Sequence, residues 1–141
     1  FAMGGWGGSS REWTLSDGER AAVLKLDLRF SPPRRGEVVI CHYPGDQLYY
    51  VKRVVALGGD TVELRAGVLY VNGQAVDEAY IAYQATSDFA LTEVPQGHYF
   101  VLGDNRPHSK DSRSVGALEK SLIVGRVRAV IWPLSAFRGI D

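Results

Sequence analysis

A chain of 141 residues and 15.5 kDa fits one domain, or one domain with a small subdomain, and is long enough to bury a core of its own. Its 16 basic and 16 acidic residues cancel, which argues against nucleic acid as a partner. The single cysteine, Cys41, excludes an intramolecular disulfide and a zinc site built on several cysteines, and no apolar run approaches the roughly 20 residues that span a bilayer, so the chain as given is expected to be soluble.

Residues 1–8, Phe-Ala-Met-Gly-Gly-Trp-Gly-Gly, read as a glycine-rich lead or linker. Ser9 to Gly18 is polar and turn-like, and Ala21 to Phe30 alternates as a strand with one polar and one apolar face. Pro32, Pro33 and Gly36 break that strand before Glu37 to Tyr43, a buried strand in which Cys41 packs as a small hydrophobe. Pro44-Gly45-Asp46 turns the chain into Tyr49 to Leu57, and Gly58-Gly59-Asp60 turns it out again. Two hairpins follow, one at Ala66-Gly67 and one at Asn72-Gly73, the strongest short hairpin signal in the chain. Asp77 to Glu93 reads as strand fragments and loop. After a turn at Val94 to Gly97, His98 to Leu102 forms a strand that runs into a dense polar stretch, Gly103 to Arg113. Ser121 to Trp132 closes the molecule as a long strand stopped by Pro133. Many short strands between glycine and proline turns predict a mostly β fold.

The chemistry centres on Tyr49 to Asp60, where one lysine, Lys52, stands in an apolar β-type run beside Arg53. Period-2 alternation would put Tyr50, Lys52, Val54 and Ala56 on one face, with Arg53 on the other, and does not by itself say which cation points inward. An edge strand with one basic residue reaching to water is the bland alternative. A buried ammonium must be paired, kept wet or neutralised. A free lysine is neutral only a few times in about 10⁴ at pH 7, whereas one desolvated to a pKa of about 7–8 is neutral roughly a tenth to half of the time, which makes it a usable base. Arginine cannot do this, so Lys52 is the candidate base for a serine nucleophile. His108, between Asp104 and Asp111, is a competing base whose bland reading is an exposed loop histidine. The three histidines stand far apart and no helix follows Gly58-Gly59-Asp60, so neither a metal nor a phosphate-binding cofactor is expected.

Four segments together resemble a known family. They are Ser10-Arg11-Glu12-Trp13-Thr14-Leu15-Ser16-Asp17-Gly18, Arg35-Gly36-Glu37-Val38-Val39, Lys52-Arg53-Val54 to Gly59-Asp60, and Gly103-Asp104-Asn105-Arg106 through Ser109, Asp111, Ser112 and Arg113. In order and spacing they resemble the bacterial type I signal peptidases, Ser–Lys serine proteases, from Ser9 to about Ile140. The resemblance implies Ser10 as nucleophile, Lys52 as general base, Ser109 as the hydroxyl that orients the lysine, and Asp111 with Arg113 as a supporting ion pair. It also implies an oxyanion hole using the Ser10 backbone N–H. Some members add a side chain two residues before the serine, where this chain has Gly8.

The implied fold is an antiparallel β catalytic domain, 1–60 and 96–141, with a smaller β subdomain inserted at 61–95. Signal peptides of exported preproteins would bind as extended strands, with Val51 a candidate pocket residue. Family members are anchored in the cell membrane with the catalytic domain on its extracytoplasmic face, and this chain would be the soluble portion. Trp132, Leu134, Phe137 and Ile140, with Trp6 and Trp13, would rest at the membrane surface or pack in the core. The family usually has methionine after the serine and proline three after it, where this chain has Arg11 and Trp13. That departure motivates an alternative, a catalytically silent binding or assembly module. A self-cleaving repressor with a similar dyad is disfavoured by the lack of net positive charge.

Overall fold

The computed structural model describes residues 2–3, 12–17, 20–27, 31–81, 84–131 and 138–139. The strands are β1 (Ala2–Met3), β2 (Glu12–Asp17), β3 (Arg20–Asp27), β4 (Val38–Cys41), β5 (Tyr49–Leu57), β6 (Thr61–Arg65), β7 (Val68–Val71), β8 (Gln74–Ala75), β9 (Phe89–Glu93), β10 (His98–Leu102), β11 (Leu118–Glu119), β12 (Ile123–Ile131) and β13 (Arg138–Gly139). Among the described residues, helix is confined to α1 (Ser112–Val115) and two single 3-10 turns. Every strand pair is antiparallel. The larger sheet runs β11-β10-β5-β4-β12-β3-β2, with β1 beside β5 and β13 beside β12. The smaller runs β8-β7-β6-β9. The expected mostly antiparallel β fold with a smaller second sheet is what forms.

Local chemistry explains the small sheet. Asn72 and Gly73 both take positive φ, 52° and 80°, the pairing that a two-residue hairpin turn requires and that Asn-Gly tolerates best. Val62, Leu64, Leu69 and Val71 alternate inward along β6 and β7 and pack with Val55, Ala56, Phe100 and Leu102 of the larger sheet in one buried cluster. A second cluster, Val39, Cys41, Tyr43, Val54, Val101 and Leu118, lies within the larger sheet.

Four readings are corrected. The polar segment Ser9 to Gly18 contains a strand, β2, paired with β3 from Glu12 opposite Lys25 to Asp17 opposite Arg20; a partner strand satisfies its backbone groups, which composition cannot reveal. The edge-strand reading of Tyr49 to Leu57 fails, because β5 lies between β10 and β4. The simple alternation of Lys52, Val54 and Ala56 also fails beyond Val54. Ala56 pairs with Phe100 and Val54 with Val101, leaving Val55 as an extra residue, so Val55 and Ala56 both join the cluster shared by the two sheets while Val54 joins the other. The last long strand starts at Ile123 rather than Ser121, after a 3-10 turn at Lys120–Leu122.

The turn from β5 into β6 is organised by Asp60. Its carboxylate accepts from Arg35 Nε at 2.9 Å and Nη2 at 2.6 Å, from the Leu57 N–H at 2.8 Å and from Asn72 Nδ2 at 3.0 Å. Burial by itself would raise this carboxyl, but Arg35, the Leu57 N–H and Asn72 outweigh it and hold the pKa at about 2. A carboxyl depressed in the folded state adds stability that is complete above its unfolded pKa of about 3.9 and lost as pH falls toward 2. Asp60→Asn is expected to lower the urea midpoint at pH 7 and to flatten its decline between pH 4 and pH 2. An unchanged acid limb would contradict this account.

Candidate active site

The Lys52 side chain projects from an interior strand, opposite Val39 of β4, and is 4% exposed. Its Nζ donates to Ser109 Oγ at 2.7 Å. Burial drives its pKa below the ordinary lysine value, with the nearby Asp111 carboxylate partly opposing that change. The Lys52 nitrogen is thus desolvated and hydrogen-bonded to Ser109, the kind of surroundings an amine base needs.

Ser109 is delivered by the segment between β10 and α1. Gly103, the first residue after β10, passes so close that a Cβ there would lie 1.7 Å from Ser109 Oγ and 3.2 Å from Lys52 Nζ, so only glycine fits. Asp111, fully buried, anchors this segment. It caps α1 by accepting from the Arg113 N–H at 3.1 Å, and its oxygens also receive Arg113 Nε at 2.9 Å, Arg113 Nη2 at 2.7 Å and the Gly103 N–H at 3.0 Å. Arg113 Nη2 reaches on to the Arg106 carbonyl at 2.9 Å. Ser112 Oγ accepts from the Val101 N–H at 2.9 Å, and the Tyr43 hydroxyl donates to the Lys110 carbonyl. The buried charge is thus fully satisfied, as burial demands.

Lys52 and Ser109 open into a cleft of about 280 Å³ whose walls include Val38, Val51, Gly103 and His108. His108 is exposed on the cleft rim. Cys41, buried at the end of β4, is no competing nucleophile, since burial raises its thiol to about 12.

Of the predicted site residues, the fold brings together Lys52, Ser109, Asp111 and Arg113. Ser10, Gly8 and Arg11 lie outside the described residues, as do Trp6, Trp132, Leu134, Phe137 and Ile140; Trp13 lies within β2. No described helix is long and apolar enough to cross a membrane.

Sequence reasoning missed the role of Gly103 and the partners of Arg53. Arg53 is 9% exposed, donates from Nε and Nη2 to Asp104 at 3.0 and 2.8 Å, and stacks on Tyr80 at 3.8 Å from the ring centroid. A glycine directly after a strand and before a dense polar stretch was the available signal for Gly103. Nothing local pointed to Tyr80.

Gly103→Ala tests the packing of this site. The added methyl must displace Ser109 or the strand end, and overpacking of this kind costs about 1–3 kcal/mol. A denaturant midpoint unchanged from wild type would show that the segment yields freely.

A family model described as signal peptidase, peptidase S26, matches residues 5–132. Signal peptidase I of Bacillus licheniformis is 37% identical over 145 residues, covering 95% of this chain and 78% of that protein. Signal peptidase IB of Staphylococcus aureus strain Mu50 is 38% identical over 149 residues, covering 93% and 78%. The crystal structure of a signal peptidase I from Enterococcus faecalis V583 superposes with a TM-score of 0.63 at 34% identity, covering 70% of this chain and 98% of that one. With the match spanning both sheets and the Lys52–Ser109 cleft, the chain belongs to the signal peptidase family, peptidase S26, a family of serine peptidases.

Proposed function

We propose that this chain is the catalytic portion of an endopeptidase that removes N-terminal signal peptides from exported preproteins, with Ser10 as nucleophile and Lys52 as general base. The observation that carries the reading is the buried Lys52 amine, 2.7 Å from the Ser109 hydroxyl at the floor of an open cleft. Neutral Lys52 takes the proton of the Ser10 hydroxyl as its oxygen bonds to the scissile carbonyl carbon. The ammonium then gives that proton to the departing amine, leaving an acyl-enzyme. In the second half Lys52 deprotonates water, which displaces the Ser10 ester and returns a proton to the serine. Ser109 holds the amine in line, and Asp111 with Arg113 holds the segment that carries Ser109. The Ser10 N–H stabilises the oxyanion, and Gly8 supplies no side-chain donor beside it.

Substrate enters as an extended strand, its backbone hydrogen bonds giving affinity and Val51 lining a pocket for a small side chain. The insert, 61–95, is the smaller subdomain of the two-part enzyme. The working place is the extracytoplasmic face of the cell membrane, where exported preproteins emerge. Lys52→Met keeps the length and removes the amine. It is expected to lower kcat on a preprotein in detergent by about 10²–10⁴. Because the folded lysine pKa is depressed, the folded state binds fewer protons than the unfolded one, and its burial costs stability below the unfolded lysine value of about 10.4. The same variant should therefore raise the denaturation midpoint at pH 7. Activity that survives in Lys52→Met and disappears on replacing His108 would sink the Ser–Lys reading.

One observation favours a second reading, a catalytically silent binding or assembly module. Trp13 sits inside β2, paired opposite Leu24, at a position where the family usually has proline. A proline would remove a backbone donor there and pin φ, which Trp13 does not. Comparison of wild type with the Arg11→Met, Trp13→Pro double variant decides between the two. Turnover by wild type supports the enzyme; none by wild type with turnover restored in the double variant supports the silent module.

A further inference from the structure

We infer that Glu78 and Tyr80, on the segment between β8 and β9 of the small sheet, are positioning residues for the Lys52–Ser109 pair. The inference rests on Lys52 as the catalytic base. Both residues reach across to the larger sheet and grip the two sides of the cleft. Glu78 Oε1 and Oε2 accept from Arg106 Nη1 and Nη2 at 3.0 and 2.5 Å, with the two side chains 6% and 1% exposed. The third donor of the same guanidinium, Nε, goes to the Gly103 carbonyl at 2.8 Å. The Gly103 peptide that presses on Ser109 and Lys52 is consequently held at its N–H by Asp111 and at its C=O by Arg106, and the aim of Arg106 is set by Glu78.

Tyr80 completes the grip. Its hydroxyl donates to Glu78 Oε2 at 2.9 Å, and its ring lies under the Arg53 guanidinium. Arg53 is the residue after the base and holds Asp104, the residue after Gly103. Without Glu78 the Arg106 fork loses the carboxylate that fixes its plane, and the Gly103 carbonyl loses a fixed donor. Without the Tyr80 ring, Arg53 and Asp104 gain water. Either change loosens the cover over the amine, and a misplacement of about 1 Å at a reacting pair is enough to cost about 10² in rate. The insert thus acts on the site as well as extending the core.

The test uses Glu78→Gln and Tyr80→Leu, with Glu63→Gln as control, since Glu63 lies on β6 of the same sheet in a part-exposed pair with Arg65. Preprotein cleavage in detergent is expected to show kcat about tenfold or more lower in the first two variants, with KM within about twofold, and no change in the control. A ¹³C-methyl probe on the Lys52 amine should titrate at higher pH in Glu78→Gln than in wild type, because water reaches the amine. A cooperatively folded Glu78→Gln with wild-type kcat and an unchanged Lys52 titration overturns the inference. If Glu78→Gln does not fold, the same two measurements on Tyr80→Leu decide it. An inactive wild type would count against the proposed peptidase, while the Lys52 titration still tests the positioning.

Discussion

The structure depends on the cost of burying one amine. Lys52 sits on β5, an interior strand, where an ammonium would lose its hydration and, among the described residues, gain the Ser109 hydroxyl as hydrogen-bond partner. Its pKa falls in response. Three neighbouring positions make sense only around that nitrogen: Ser109 to hold it, Gly103 to leave room for both groups, and Asp111 to brace the segment that brings Ser109 in.

The three buried cations of this region are treated differently, and the difference follows from their chemistry. Arg53 and Arg106 cannot shed their protons, and each receives a carboxylate, Asp104 and Glu78 respectively. Lys52 can become neutral and receives a serine. A carboxylate in direct contact with Lys52 would hold it protonated and useless as a base. The Asp111 carboxylate nearby is instead occupied by four donors from Arg113 and Gly103. Two ion pairs thus stand beside the Lys52–Ser109 pair, where burial lowers the lysine pKa.

The two sheets are joined by the same economy of parts. Strand β5 carries Lys52 in its middle and, past the extra residue Val55, turns two successive side chains into the core shared with the small sheet. It then passes through the Asp60 turn directly into β6. The small sheet returns the contact through Glu78 and Tyr80. The small sheet therefore shares with the larger one a core, a buried ion pair and a cation–ring contact.

Much of this was legible in the residues. The Asn72-Gly73 hairpin, the buried strand around Cys41 and the break at Pro32-Pro33 follow from local φ preferences and period-2 patterning, which depend on near neighbours in the chain. Lysine titrates where arginine does not, so Lys52 could be chosen over Arg53 as a base from residue type alone, and four spaced motifs pointed to the family. The strand at Glu12–Asp17, the shift at Val55, the interior place of β5 and the Glu78–Arg106 and Tyr80–Arg53 contacts were not legible. Each depends on which distant segment supplies a hydrogen-bond partner or a counter-charge, and Glu78 and Arg106 stand 28 residues apart in the chain. The sequence by itself determined that a lysine able to titrate, and serines within the four family motifs, were present. Tertiary structure alone decided that the lysine would be buried beside Ser109, because only the packing of β4, β10 and the Gly103 segment around it excludes water from the amine and lowers its pKa.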